Sequence, residues 1–384
     1  MARVKLIQNK EDIAPEHHAL FDELAALRGR ISGPSTVVLH SPGLARPWNE
    51  VSEYLHRQSV VEAQHAELAV SATAREKDCG YIWNAHVPLA RKAGVSDRTI
   101  AAVRERRPLD GLSAQEAVVV RYVRQLLQDN RVESGVFDQL HKAHDTRWLV
   151  ELTGWIGRYA ALAGILNGFE LSPEHPAEVL PVSGTAAGPS RTVRGVPPPA
   201  PKPRVTPITN REQVAEADRS VFDAVAEGRG SVRGPFSILM YSPPLCQRVL
   251  DVSSHLRFKS VITPDLIELA TIATAREKDC PYVWAAHAPA ARKAGASEPA
   301  IAAVRDRGDL AGLPPTERDV VDYVRQQLRT NRVSQDLFDR LRDQHGVQWL
   351  VELTCLMGHY GVVTAILNAF EVAPAPDAER LPLG

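Results

Sequence analysis

Cysteine is scarce. Four thiols in 384 residues cannot frame a disulfide scaffold, and their expected state is reduced, in a cytoplasmic setting. An excess of one charge is missing too: 45 Lys and Arg stand against 46 Asp and Glu. With a net charge of −1, no overall basic field draws in nucleic acid or an anionic membrane surface. The opening MARVKLIQNKEDIAPEHH lacks the apolar run of a signal peptide. Alternating β-branched runs are nearly absent, with VVLHSP and SILMYSP the only strand candidates. There is no Gly-rich phosphate loop, and no clustered Cys and His spacing for zinc. One long uncharged stretch exists, Leu353 to Phe370, but Gly358, His359, Tyr360 and Asn368 interrupt it and its counterpart carries Arg158. A buried core helix is expected there, not a membrane span.

What the chain does have is itself, twice. AELAVSATAREKDCGYIWNAHVPLARKAGVS at 66–96 recurs as IELATIATAREKDCPYVWAAHAPAARKAGAS at 267–297, an offset of 201 residues. From Glu67 to Arg104, 27 of 38 positions are identical to their partners without an insertion. A period this long means two whole domains, not a solenoid. The expected division is a first domain over 1–171, a Pro-, Gly- and Ala-rich tether over 172–202, and a second domain over 203–384.

Each copy reads as helices joined by short loops. Ala-rich segments such as LATIATARE favour helix. Thr263-Pro264-Asp265 is a start signal, and RKAG at 91–94 and 292–295 is a stop signal. Helices are also expected over 113–128 and 148–169. The fold class is all-α.

Duplication allows the two halves to be compared. Of thirteen histidines, only His86/His287 and His144/His345 are matched; of four cysteines, only Cys79/Cys280. Glu268 is the sole ionisable group from Leu266 to Ala275, and Glu67 is placed likewise. A helix apolar on every side is buried, and burial disfavours a charged carboxylate, which suits proton exchange. The competing reading is an ion pair with Arg75 or Arg276 two turns on.

Cys280 precedes Pro281, which favours a first helical turn and puts the thiol at the N-cap, where the helix dipole lowers a thiol pKa; Cys79 sits similarly. His86 and His287 follow their cysteines by seven residues, on the same helical face. Trp83 and Trp284, one turn before each histidine, would wall that face, with Tyr81 and Tyr282 beside them. Pro88 and Pro289 free a backbone carbonyl nearby. Glu151/Glu352 and Tyr159/Tyr360 form another matched set, expected in the core, and His144/His345 are expected to pack or cap.

The pattern Glu-x11-Cys-x3-Trp-x2-His, found twice, resembles the carboxymuconolactone decarboxylase and alkylhydroperoxidase D-like superfamily, whose peroxidase branch carries Glu and then Cys-x-x-Cys-x-x-x-His. Glu67, Cys79 and His86, and Glu268, Cys280 and His287, fall on three of those four positions. The second cysteine is Ile82 or Val283 here, so a two-cysteine peroxidase lacks its resolving thiol. The resemblance implies two alkylhydroperoxidase D-like helical domains packed as a pseudo-dimer, and a homo-oligomer of two or three tandem chains. It further implies an enzyme without cofactor or metal, acting on a small carboxylated lactone or organic acid in aromatic-compound breakdown. In that expectation the glutamates and histidines move protons, the cysteines meet a polarised carbonyl, and the tryptophans and tyrosines bind substrate. A single-cysteine peroxidase and a non-catalytic helical scaffold are the alternatives.

Overall fold

The Ala-rich segments bounded by Ser, Thr or Pro starts and Gly stops all become helices. A computed structural model describes residues 2–173, 175–181 and 202–382, and among these there is no strand. The first half contains α1 (His18–Arg28), α2 (Ser35–Val38), α3 (Pro42–Gln58), α4 (Ala63–Glu76), α5 (Gly80–Lys92), α6 (Asp97–Arg104), α7 (Ala114–Arg124), α8 (Ser134–Ala143) and α9 (Thr146–Gly168). The second repeats them as α10 (Arg219–Arg229), α11 (Pro235–Leu239), α12 (Pro243–Phe258), α13 (Pro264–Glu277), α14 (Pro281–Ala294), α15 (Glu298–Arg305), α16 (Pro315–Thr330), α17 (Gln335–His345) and α18 (Val347–Ala369). The fold is all-α, in tandem.

VVLHSP and SILMYSP are not strands. Backbone bonds from Val38 N–H to the Pro34 carbonyl and from Met240 N–H to the Phe236 carbonyl close helical turns there. A proline at the start of each stretch favours that first turn.

In each half one helix is the axle. Every residue of α4 from Ala66 to Arg75 is buried, and α5, α6, α7 and α9 pack around it; α13 does the same in the second half. In α13 the buried hydroxyls of Thr271 and Thr274 are satisfied within the helix, donating to the Ile267 and Ala270 carbonyls. The reversal into α5 is a Schellman turn: Asp78 takes φ 45°, Asp78 N–H bonds the Arg75 carbonyl, and Cys79 N–H bonds the Ala74 carbonyl. Asp tolerates this left-handed position. Arg75 and Arg106 hold its carboxylate, so Arg75 serves the turn and not Glu67. Arg276 and Arg307 do the same for Asp279. The hairpin lays α5 back along α4, and α14 along α13.

The halves meet along α9 against α18 and α3 against α12. Matched glycines allow the approach: a Cβ on Gly157 would lie 3.0 Å from the Val362 Cα, and one on Gly358 would lie 2.7 Å from the Ala161 Cβ. Bonds cross the seam in reciprocal pairs. Ser41 Oγ donates to Glu352 at 2.6 Å and Ser242 Oγ to Glu151 at 2.8 Å. Arg3 reaches the Val333 carbonyl and Arg204 the Val132 carbonyl. The matched acids Glu151 and Glu352, expected in the core, are thus core residues that each reach into the other half. Both α9 and α18 are long and apolar enough to cross a membrane, yet 89% of the most apolar stretch of each is buried in this seam.

The expected tether begins as part of the first half. Asn84 Oδ1 accepts from the Ala177 and Glu178 N–H groups, Arg91 pairs with Glu178, and Leu180 is buried. The remainder of the tether, from 182 to 201, lies outside the described residues.

Candidate active site

The helical hairpin decides which sequence candidates meet. In the first half His86 Nδ1 lies 2.8 Å from Glu67 Oε2; in the second, His287 Nδ1 lies 2.6 Å from Glu268 Oε2. Acid and imidazole come from adjacent antiparallel helices, and both side chains are nearly closed off from solvent. With Nδ1–H donated to the carboxylate, each ring presents Nε2 as its free face. In the second half the Tyr360 hydroxyl stands 3.4 Å from that Nε2. Burial pushes the Tyr360 phenol up to about 12, so it stays protonated at neutral pH.

His287 and Tyr360 open onto a cleft of about 400 Å³, also lined by Arg229, Arg257, Phe236, Phe258, Tyr282 and Val283. That volume suits a small organic ligand. Arg257 approaches Glu268 to 3.6 Å. His359 lies in the wall as a neutral ring: burial, helped by Arg229, Arg257 and His287, brings it down to about 3.

The first half uses a different set around the same pair. Tyr159 packs edge-on to His86 with ring centres 4.8 Å apart, while its hydroxyl bonds His56 Nε2 at 2.8 Å. His56 lies against Trp155 and 6.3 Å from the His86 ring. Arg158, which stands where the second half has His359, donates to Ser52 and covers the Trp48 ring.

Two expectations need correction. Cys79 and Cys280 do occupy the N-caps of α5 and α14, but the thiols are not activated. Burial outweighs the backbone N–H groups of Ile82 and Tyr81, and of Val283 and Tyr282, and pushes each thiol up to about 12. Both therefore stay thiols at neutral pH. Cys280 does not line the cleft; Val283, one turn on, does. Trp83 and Trp284 are not site walls either. Both rings are fully buried, and neither indole N–H finds a partner among the described residues.

Tyr282 lies in the cleft wall. Tyr81 is half-buried and packs against Gly33, as Tyr282 does against Gly234. His144 and His345 stack on Trp148 and Trp349 at 3.7 and 4.2 Å, a packing role. Among the described residues no three His, Cys, Asp or Glu side chains gather as a metal site.

The profile of the carboxymuconolactone decarboxylase family matches residues 42–125 and again 243–326, spans that contain both Glu–His pairs. The chain carries two carboxymuconolactone decarboxylase family domains in tandem. No curated protein gives a significant match to the chain. Beside the Glu–His pairs of these family domains stand residues that sequence reasoning assigns to the core or passes over. Tyr159 and Tyr360 are legible as a matched pair two turns after an acid, but their place at the histidine rings is not. His56 and Arg257 carry no signal in the sequence, because they differ between the halves.

Proposed function

We propose that this protein is a cofactor-independent enzyme that moves protons on a small carboxylated lactone or organic acid, of the kind met in aromatic-compound breakdown. The observation that carries the reading is the carboxylate–imidazole hydrogen bond formed twice, at 2.8 and 2.6 Å, beside a tyrosine that remains protonated. The glutamate fixes the Nδ1–H tautomer and balances the charge of an imidazolium. Nε2 of His287 then takes a proton from the carbon next to a substrate carbonyl, or returns one after carboxylate loss, and the Tyr360 hydroxyl donates to the developing oxyanion. Positioned acid–base groups of this kind contribute about 10²–10⁴ in rate.

The family contains enzymes, and decarboxylation is one reaction this pair can serve. The single-cysteine peroxidase reading loses support from thiols that are buried and un-ionised. The experiment is a panel of carboxylated γ-lactones and β-keto acids, followed by carbon dioxide release. Glu67→Gln combined with Glu268→Gln should abolish turnover, with each single variant showing the share of its half. Unchanged rates in the double variant would refute the acid–base reading and leave a helical scaffold.

A further inference from the structure

The two halves keep the same acid–base pair but surround it with different charge. In the second-half cleft the wall contains Arg229, Arg233 and Arg257 and no acidic side chain. Glu268, which approaches Arg257 to 3.6 Å, already accepts from His287. Arg229 gives one N–H to Ser253 Oγ at 2.7 Å, while its Nε and Nη1 are buried without a hydrogen-bond partner, as is Nε of Arg257. Buried donors are almost always paired. Guanidinium groups with unpaired donors, gathered in a cleft wall without an acid, are the arrangement that a planar carboxylate completes with two parallel bonds. The rings of Phe236 and Phe258 lie 5.7 and 5.4 Å from the Arg229 guanidinium and supply apolar sides. Phe258 is 65% exposed at the rim, and its ring also lies 5.3 Å from the Arg257 guanidinium.

The first half differs at the matching positions. At the Arg257 position stands His56, whose Nε2 is bonded to Tyr159. At the Arg233 position stands Ser32, and at the Phe258 position Arg57, which pairs with Glu53. Ser52, the match of the serine that holds Arg229, is taken by Arg158. Arg28 matches Arg229 in sequence, but the second guanidinium is missing.

We propose that the chain binds one small organic carboxylate, ring-bearing in size, in its second half through Arg229 and Arg257, and that the first half does not share this specificity. The assignment rests on the acid–base reading only for what happens to the ligand once bound. It makes Arg257 against His56 the position that decides specificity. The unpaired guanidinium donors need an anion; the apolar sides need a ring.

The test is equilibrium dialysis of the full chain against radiolabelled benzoate, with its neutral isostere benzamide and inorganic phosphate as competitors. The expected result is one benzoate per chain, displaced poorly by benzamide and by phosphate. Arg257→His, which installs the first-half residue, and Arg229→Gln should each weaken benzoate at least tenfold; His56→Gln should leave it unchanged. Thermal melts identify any variant that fails to fold, and the other arginine then carries the test. Absence of saturable benzoate binding, two equal sites per chain, phosphate binding in place of benzoate, or unchanged affinity in both arginine variants would overturn the proposal. Because dialysis needs no turnover, an inert Glu268→Gln substitution would remove the acid–base reading and leave this result standing.

Discussion

Glu352→Ala should destabilise the protein far more than the loss of one contact. The Glu352 carboxylate is fully buried where the halves meet. It accepts from Ser41 Oγ across the seam at 2.6 Å, and from Ser260 Oγ at 2.6 Å, Val261 N–H at 2.9 Å and Gln348 Nε2 at 3.0 Å. Gln348 is near enough to solvent to find water, but alanine would strand two hydroxyls and a backbone N–H. At about 1–1.5 kcal/mol for each orphaned group, the cost is about 3–5 kcal/mol. Ser41→Ala removes only one of four donors, for about 1 kcal/mol. Burial alone would raise this carboxyl, but the neighbouring His255 and the hydrogen bonds from Ser260, Ser41 and Gln348 outweigh it and hold it at about 2, against an ordinary 4.5. A depressed carboxyl stabilises the folded state fully above its unfolded value and loses that contribution as pH falls toward the folded one. Urea unfolding of wild type, E352A and S41A should therefore show the large gap at neutral pH, narrowing between about pH 4.5 and 2. An E352A penalty below about 1 kcal/mol, or a gap indifferent to acid, would refute the reasoning.

Other expectations follow from the same contacts. Native protein should show no fast thiol toward a disulfide reagent, because all four cysteines are buried; rapid labelling at Cys79 or Cys280, or sulfenic acid there after mild peroxide, would reverse the assignment. Cys280→Ala should leave turnover intact. Gly157→Val and Gly358→Val should each cost about 1–3 kcal/mol by forcing α9 and α18 apart, read as lowered melting temperatures; unchanged melts would mean the seam has slack. Loss of turnover in the Glu67→Gln and Glu268→Gln double variant tests the chemistry, and the tenfold loss of benzoate in Arg257→His tests the recognition.

The Glu–His pairing is legible in the sequence because its signal is local: an acid alone on an apolar helix and a histidine at a fixed place on the next. The thiol shows how local reasoning fails. The N-cap position follows from Pro281, and a helix dipole is worth at most about 2 kcal/mol. Displacement from 9.0 to about 12 corresponds to roughly 4 kcal/mol, so burial wins. A spacing of seven along one helix face implies that thiol and imidazole share a site, yet that face turns from cleft to core within two turns. The tryptophans fall to the same error. Screening by matched positions keeps His86 and His287 and discards His56 and Arg257, which are near the site because α3 and α12 pass there.

Sequence by itself determined the duplication, the all-α class, the boundaries of the main helices and which glutamate and histidine stand out as candidates in each half. These depend on periodicity, capping and turn chemistry within short stretches of chain. Only the tertiary structure decided which side chains are dry, that Glu151 and Glu352 reach across to serines of the opposite half, and that three arginines border the cleft beside His287. Burial and charge surroundings are set by what distant segments bring to the same place, and no spacing along the chain records that.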